Sequence, residues 1–462
     1  MVERMRRRIF AAVATGLALA GGGAAQAADP PAFKPIRSDE DYSYLKSRPV
    51  LEGGDRLRFL PLTEDGETYL TLGGEARLRV DSFDAPRFGL GGAQADVYGL
   101  GRALFSADLH LGSRLRVYGE LGLHRDIGKK DPPAISDRDG LDAQVAFVDL
   151  TPDAARRWRL RLGRQEVSLN PTQRFVSVRE GPNIRQSFDG LRVTRQTPGL
   201  RLEAFYLRPV VIQTGAFDDS RNADQRFYGV YASRPLNKAV TLDLYAIALE
   251  RDGVRFGGVR GDERRTSLGA RLAGKRGAID YEAEGMVQGG RFAGRDIRAW
   301  GGSLGGGYTL ARAWSPRLGL RLDAGSGDSN ASDGRLETFN PLFPKGAYFN
   351  ETGLTSWSNL LAVRPSLGLA PRRDVSLEVS YLIRRRQTGD DAIYLQPSTP
   401  LAPVGADRSW AVGDAAQLDA TWQVNRNLKL QAQLVHQSAG DAIQAVNGRA
   451  VDFGMLIAQF RF

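Results

Sequence analysis

The sequence predicts an all-β fold: a transmembrane antiparallel β-barrel of about eighteen strands, with short periplasmic turns and long extracellular loops. Three observations predict it. The chain ends on an aromatic, Phe462, after a stripe in which Leu456, Ala458 and Phe460 share its strand face. It begins with an export signature. Between the two, apolar and polar residues alternate with the period of a strand, and lipid admits only helices and closed barrels as spanning structures.

The export signature comes first in the chain. Arg4, Arg6, Arg7 and Arg8 form a basic start, residues 9–20 are apolar but too short to cross a bilayer, and Ala25-Gln26-Ala27 has the small-residue pattern of a cleavage site. Residues 1–27 are therefore expected to be a removed signal peptide, 28–66 a Pro-rich, charged periplasmic N-terminal arm, and 67–462 the outer-membrane barrel. The expected address is the outer membrane of a Gram-negative cell.

The first strand is expected at 69–80, where Leu70, Leu72, Ala76, Leu78 and Val80 alternate with Thr71, Gly73, Glu75, Arg77 and Arg79. The same alternation recurs at 114–124, 317–323, 375–383, 417–424 and 428–434. Tight connections are expected at 112–113, 197–199, 235–238, 274–277, 371–374 and 425–427. Long polar ones are expected at 81–96, 126–141, 168–187, 251–265, 326–357, 387–413 and 438–450. Hairpins counted this way give the strand number, and the last strand should close the barrel near Tyr69.

Composition agrees. With 54 Gly, no Cys and a net charge of +10, the chain suits half-polar strands and has no disulfide frame, thiol nucleophile or thiolate metal site. The positive charge is spread along the chain and accompanies no basic helix or RNA-binding motif, so nucleic acid is not an expected partner. A soluble multi-sheet β protein would explain neither terminus.

With apolar residues assigned to lipid, the inward rows carry Arg77, Arg79, Arg102, Arg161, Arg192, Arg317, Arg321 and Arg384, joined by Arg114, Arg116 and Arg159. Arginine is planar, permanently charged and grips carboxylates with two N–H groups, so such rows favour anionic cargo. The plainer reading is that they pair with the inward acids Glu75, Glu120, Asp280, Glu282, Glu284, Asp323 and Glu378 across neighbouring strands. Both readings stay open.

The chain resembles the alginate-export family of outer-membrane barrels in YLTLGGE at 69–75, FVDL at 147–150, LRLGRQ at 160–165, SFDG at 187–190, FNPLFPKGAYF at 339–349 and FRF at 460–462. The resemblance implies passage of an anionic uronate polysaccharide through an arginine-lined pore, with Arg161 and Arg77 the best-matched lumenal arginines. Arg164 has lipid-side parity unless a bulge at Gly163 turns it inward. Gln144 stands where an exporter is expected to carry arginine. The turn at 425–427 is minimal where the family has a long pore-plugging loop, so a long extracellular loop such as 326–357 would have to narrow the pore.

The expected function is thus an outer-membrane channel for alginate-like or other anionic saccharides, with a general porin for small anions as the alternative and a barrel hydrolase as the rival of another class. No cofactor or metal site is expected. Expected partners are an anionic poly- or oligosaccharide, membrane lipid and lipopolysaccharide, the barrel-assembly machinery through Phe462, and periplasmic export components. His110, His124 and His436 show no evident acid partner, and a His436–Ser438 pair would point in diverging directions. The loop at 328–333 lacks the sixth-place glycine and twelfth-place acid of a calcium loop. Strand glycines at 301–307 should make room inside the barrel. Trp158, Trp300, Trp314, Trp357, Trp410 and Trp422 are expected in an interfacial girdle.

Overall fold

The computed structural model describes residues 33–48, 51, 53–402 and 409–462; the expected signal peptide lies outside them. Eighteen antiparallel strands form one closed sheet. They are β1 (Tyr69–Phe83), β2 (Asp96–Leu111), β3 (Leu115–Ile127), β4 (Asp139–Leu150), β5 (Trp158–Gln165), β6 (Phe188–Thr197), β7 (Leu200–Val211), β8 (Gln225–Pro235) and β9 (Val240–Phe256). The second half comprises β10 (Val259–Arg276), β11 (Ile279–Phe292), β12 (Arg295–Thr309), β13 (Arg317–Gly325), β14 (Leu360–Arg372), β15 (Val375–Arg385), β16 (Ala415–Gln423), β17 (Leu428–Gln437) and β18 (Val451–Arg461). No helix among the described residues is long and apolar enough to cross a membrane.

Alternation sets the two faces. Leu78, Leu121, Leu318, Leu320 and Phe460 lie on the exposed outer face, while Glu75, Arg77, Arg79 and Arg102 between them are buried inside. Closure is made by β18 against β1, from Phe83↔Phe453 to Glu75↔Arg461, and Phe462 exchanges two 3.1 Å backbone bonds with Gly74. The expected closure at Tyr69 is thus displaced by five residues. The segment 69–73 is released from β18 because Leu60–Pro61 of the N-terminal arm pairs with Tyr69 and Leu70 instead.

A second expectation also fails. Residues 251–265 form no long loop: β9 and β10 stay paired out to Phe256↔Val259 around a turn at Gly257 and Gly258. Alternating residues there do not stop at the membrane surface, and a ladder that keeps its hydrogen bonds continues into water.

The long connections largely fold inward. Val167, Phe175, Val176 and Val178 of the 166–187 loop, and Phe339, Leu342, Phe349 and Trp357 of the 326–359 loop, are all buried. Most of them join one apolar core with inward residues of β6–β9, among them Phe188, Phe227 and Ile247. Each such side chain contributes about 1.5–3 kcal/mol of burial free energy, far more than a polar loop left in water would gain. Trp357 is therefore no girdle residue; it packs against Phe175 and Tyr348 inside the barrel.

The inward fold of the 326–359 loop depends on a bare wall. A Cβ on Gly301 of β12 would stand 2.6 Å from the Phe339 ring. Gly301→Ala should cost about 1–3 kcal/mol by overpacking, measured as a lowered melting temperature in detergent. Phe339→Leu in the same chain should recover part of that loss; equal, additive losses would show that the two positions do not meet.

Candidate functional site

The lumen is a charge network before it is a passage. Each of the seven inward acids named from the sequence has an arginine beside it: Glu75 with Arg102 at 2.6 Å and Arg461 at 2.9 Å, Glu120 with Arg37 at 3.8 Å, Asp280 with Arg317 at 2.5 Å and Asp323 with Arg321 at 2.8 Å. Glu282 lies 3.1 Å from Arg271, Glu284 pairs with Arg174, and Glu378 lies 2.8 Å from Arg364. Breaking one side of a fully buried pair such as Glu75–Arg102 costs about 3–5 kcal/mol, whereas the partly exposed Asp280–Arg317 and Glu378–Arg364 pairs are screened by water and contribute far less.

The eight arginines expected along the pore all project inward, in three different settings. Arg77 and Arg79 clamp the 166–187 loop. Arg77 donates to the carbonyl oxygens of Glu180 and Pro182 at 2.9 and 3.0 Å, and Arg79 to that of Gly181 at 2.9 Å. Arg79 also holds Glu351 of the 326–359 loop at 2.7 Å. Arg102 joins them, bonded to Glu75 and Glu180. At the long-loop end, Arg384 donates to Gly413 O at 2.9 Å and Thr355 Oγ1 at 3.0 Å, tying two loops together.

Arg161 and Arg192 belong to the wall nearer the short turns. Arg161 grips Asp149 with two N–H groups at 2.7 and 2.8 Å and lies 3.6 Å over the Phe147 ring, while Arg192 lies 3.8 Å from Glu203. Arg317 and Arg321 line an open space of about 570 Å³ together with Arg364, Lys275 and Tyr348. Arg164 keeps its outer parity, because β5 and β6 pair without a register shift through Gly163↔Gly190. It sits at the rim, bonded to Asp189 at 2.9 Å. Gln144 is buried and donates to Ser187 Oγ at 2.6 Å.

The N-terminal arm enters the barrel from the short-turn end. Arg37 donates to Gly74 O at 2.6 Å and Phe462 O at 3.3 Å, the two residues that close the wall. Arg116 holds Ser38 O at 2.9 Å, and Arg426 in the minimal turn 425–427 holds Asp55 at 2.8 Å. Beside the arm lies a mouth of about 850 Å³, lined by Arg116, Arg159 and Arg201 on the wall, by Arg114, Arg156 and Arg157 in the short turns and by Asp39, Glu40 and Asp41 on the arm. Burial disfavours the charge on Asp39, but Arg192, Arg161, Arg159 and Arg201 together hold its carboxyl below the ordinary range.

Sequence reasoning missed the loop side of this network. Glu166, Arg174, Glu180 and Arg185 carry much of it, with Arg185 2.8 Å from Glu166. A usable signal was present: Val167, Leu169, Phe175, Val176, Val178 and Ile184 are too many apolar residues for an external loop. The histidines also differ from expectation, since all three have acids nearby. His110 lies 3.3 Å from Asp108, His124 3.9 Å from Asp139, and His436 Nδ1 2.7 Å from Asp452. Ser438 turns to the backbone of Asp414 instead of to His436.

The family model for alginate export matches residues 68–455. Solved outer-membrane barrels share the fold. OccK2 (OpdF) of Pseudomonas aeruginosa, in complex with glucuronate, is 14% identical with a TM-score of 0.55, covering 85% of this chain and 98% of that one. OccAB1 of Acinetobacter baumannii is 10% identical with a TM-score of 0.59, covering 89% and 99%. OccD3 (OpdP) of Pseudomonas aeruginosa is 12% identical with a TM-score of 0.59, covering 91% and 97%. No curated protein matches the sequence.

The setting of Asp39 gives a pH-dependent prediction. A depressed carboxyl keeps its attraction at all pH above the ordinary value and loses it only as pH falls through the depressed one. Single-channel current should therefore stay level from neutral pH to about pH 4 and rise below it as the arm loosens. Asp39→Asn should raise the neutral-pH current about twofold by removing the arm's attraction to four arginines. It should also flatten the acid rise; an unchanged acid rise would show that other groups hold the arm.

Proposed function

Because the chain belongs to the alginate export family, we propose that it passes uronate-type anionic saccharides through a lumen whose mouth attracts carboxylates. It is an outer-membrane β-barrel channel. The observation that carries the finer reading is the mouth, where wall arginines converge on the carboxylate-bearing arm. Asp39 occupies the kind of setting a uronate carboxylate would seek: four guanidinium groups, of Arg192, Arg161, Arg159 and Arg201, draw on its carboxyl, although Asp149 and Glu203 share three of them.

In this reading the arginines divide into two classes. Arg77, Arg79, Arg102 and Arg384 hold loops in place and act on cargo only through them. Arg161 and Arg192 set the potential of the mouth, and Arg317 and Arg321 that of the inner space, where Arg317 is one-third exposed. Each grip is weakened by a neighbouring acid, which suits a chain that must slide from one site to the next. The glucuronate bound by OccK2 supports a uronate as cargo on a barrel of this shape.

The open spaces of about 850 and 570 Å³ hold a few sugar residues at once. That favours small anionic solutes as a second reading for the closed state, with polymer passing only when the loops part. Residues 1–27 as a removed signal peptide and Phe462 as the assembly signal complete the proposal.

Planar-bilayer recording tests it. Under a salt gradient the wild-type channel should prefer anions, and uronate oligomers should block it in a way that fades as salt rises and the attraction is screened. Replacing Arg159 and Arg201 together by Gln should weaken block about tenfold, or ~1.4 kcal/mol. Cation preference, or equal block by neutral oligomers of the same length, would contradict the proposal.

A further inference from the structure

At the long-loop end, the 212–224 loop lies down on the start of β4. Gly140 permits the approach, since a Cβ there would stand 1.7 Å from the carbonyl oxygen of Gly215. The contact gathers four carboxylates from two separate parts of the chain. One oxygen each from Asp139, Asp142, Asp218 and Asp219 lies within 4.8 Å of the others.

Internal bonds account for only part of this charge. Asp142 accepts from Asp219 N at 3.0 Å, Asp218 from Gly215 N at 3.0 Å and Asp219 from Gln213 N at 2.7 Å. Arg164 approaches Asp142 at 3.6 Å but is bonded to Asp189 through two nitrogens. Asp139 is the exception: its side chain is 3% exposed, and its buried Oδ1 makes no hydrogen bond.

A second observation comes from outside the cluster. His124 of β3 is 1% exposed, its Nδ1 faces Asp139 Oδ2 at 3.9 Å, and neither ring nitrogen makes a hydrogen bond. A buried carboxylate oxygen and, beside that carboxylate, a buried imidazole, both without a hydrogen-bond partner, are costly unless a further group completes them. A cation supplies that group.

We infer that Asp139, Asp142, Asp218 and Asp219 form a calcium site that pins the 212–224 loop to β4, with His124 as the positioning residue behind Asp139. The donors are all carboxylate oxygens, which suits a hard cation. They are divided between a strand and a loop, which suits the longer, more adaptable bonds of calcium over the rigid octahedron of magnesium, and zinc would call for nitrogen or sulfur ligands. Once a cation draws on Asp139, the His124 N–H can donate to that carboxylate and fix its orientation.

Isothermal titration with calcium chloride tests this on the full chain, refolded in detergent without lipopolysaccharide, which itself binds divalent cations. Saturable binding of one calcium per chain is expected, with a rise of several degrees in melting temperature that chelation reverses. Asp139→Asn with Asp218→Asn should weaken binding at least tenfold while gel mobility of the folded barrel is kept. Asp218→Asn alone, on the loop, gives the same test at lower risk to folding and should also weaken binding. Absence of saturable wild-type binding at millimolar calcium, or unchanged affinity in the folded variants, would overturn the inference.

Discussion

The structure depends on one constraint: a strand in a closed barrel must send alternate side chains inward, and here the inward rows are charged while loops fill the space they face. Charges placed in a water-filled lumen need no partner. Placed against packed loops they do, because desolvation of an unpaired ion costs several kcal/mol. Every inward acid noted in the sequence accordingly has an arginine beside it.

Those pairings give the loops their seats. Arg77 and Arg79 would be ordinary pore residues in an empty barrel, yet they bind the backbone of residues 180–182, and Arg79 reaches Glu351 as well. The apolar side of the same loops packs into the core with Phe188 and Phe227. Polar clamp and apolar core thus hold each loop from two sides, leaving open space chiefly where the wall faces the short-turn end. The anionic cargo proposed above would engage that end without first breaking the deeper pairs.

Much of this was legible in the sequence because strand alternation is a local rule. The outer residues Leu78, Leu318 and Phe460, the inward parity of Arg161 and Arg384, and the turn at 425–427 follow from neighbours one or two positions away. What was not legible depends on contacts between distant segments. The shift of Phe462 to Gly74 depends on arm residues Leu60 and Pro61 taking the place of β18. The acids beside His124 and His436 lie across strands, at Asp139 and Asp452. The four-aspartate cluster joins residues about eighty positions apart, whereas the sequence offered only the local, unfit loop at 328–333.

The central claim is that arginines of the wall hold the 166–187 loop inside the barrel. Hydrogen–deuterium exchange of that loop in the detergent-purified chain tests it most directly. The account predicts that amides of 175–186 exchange nearly as slowly as those of β1, and that Arg77→Ala with Arg79→Ala speeds the loop while leaving β1 protected. A wild-type loop that exchanges as fast as unstructured chain, or a double variant whose loop stays fully protected, would contradict it.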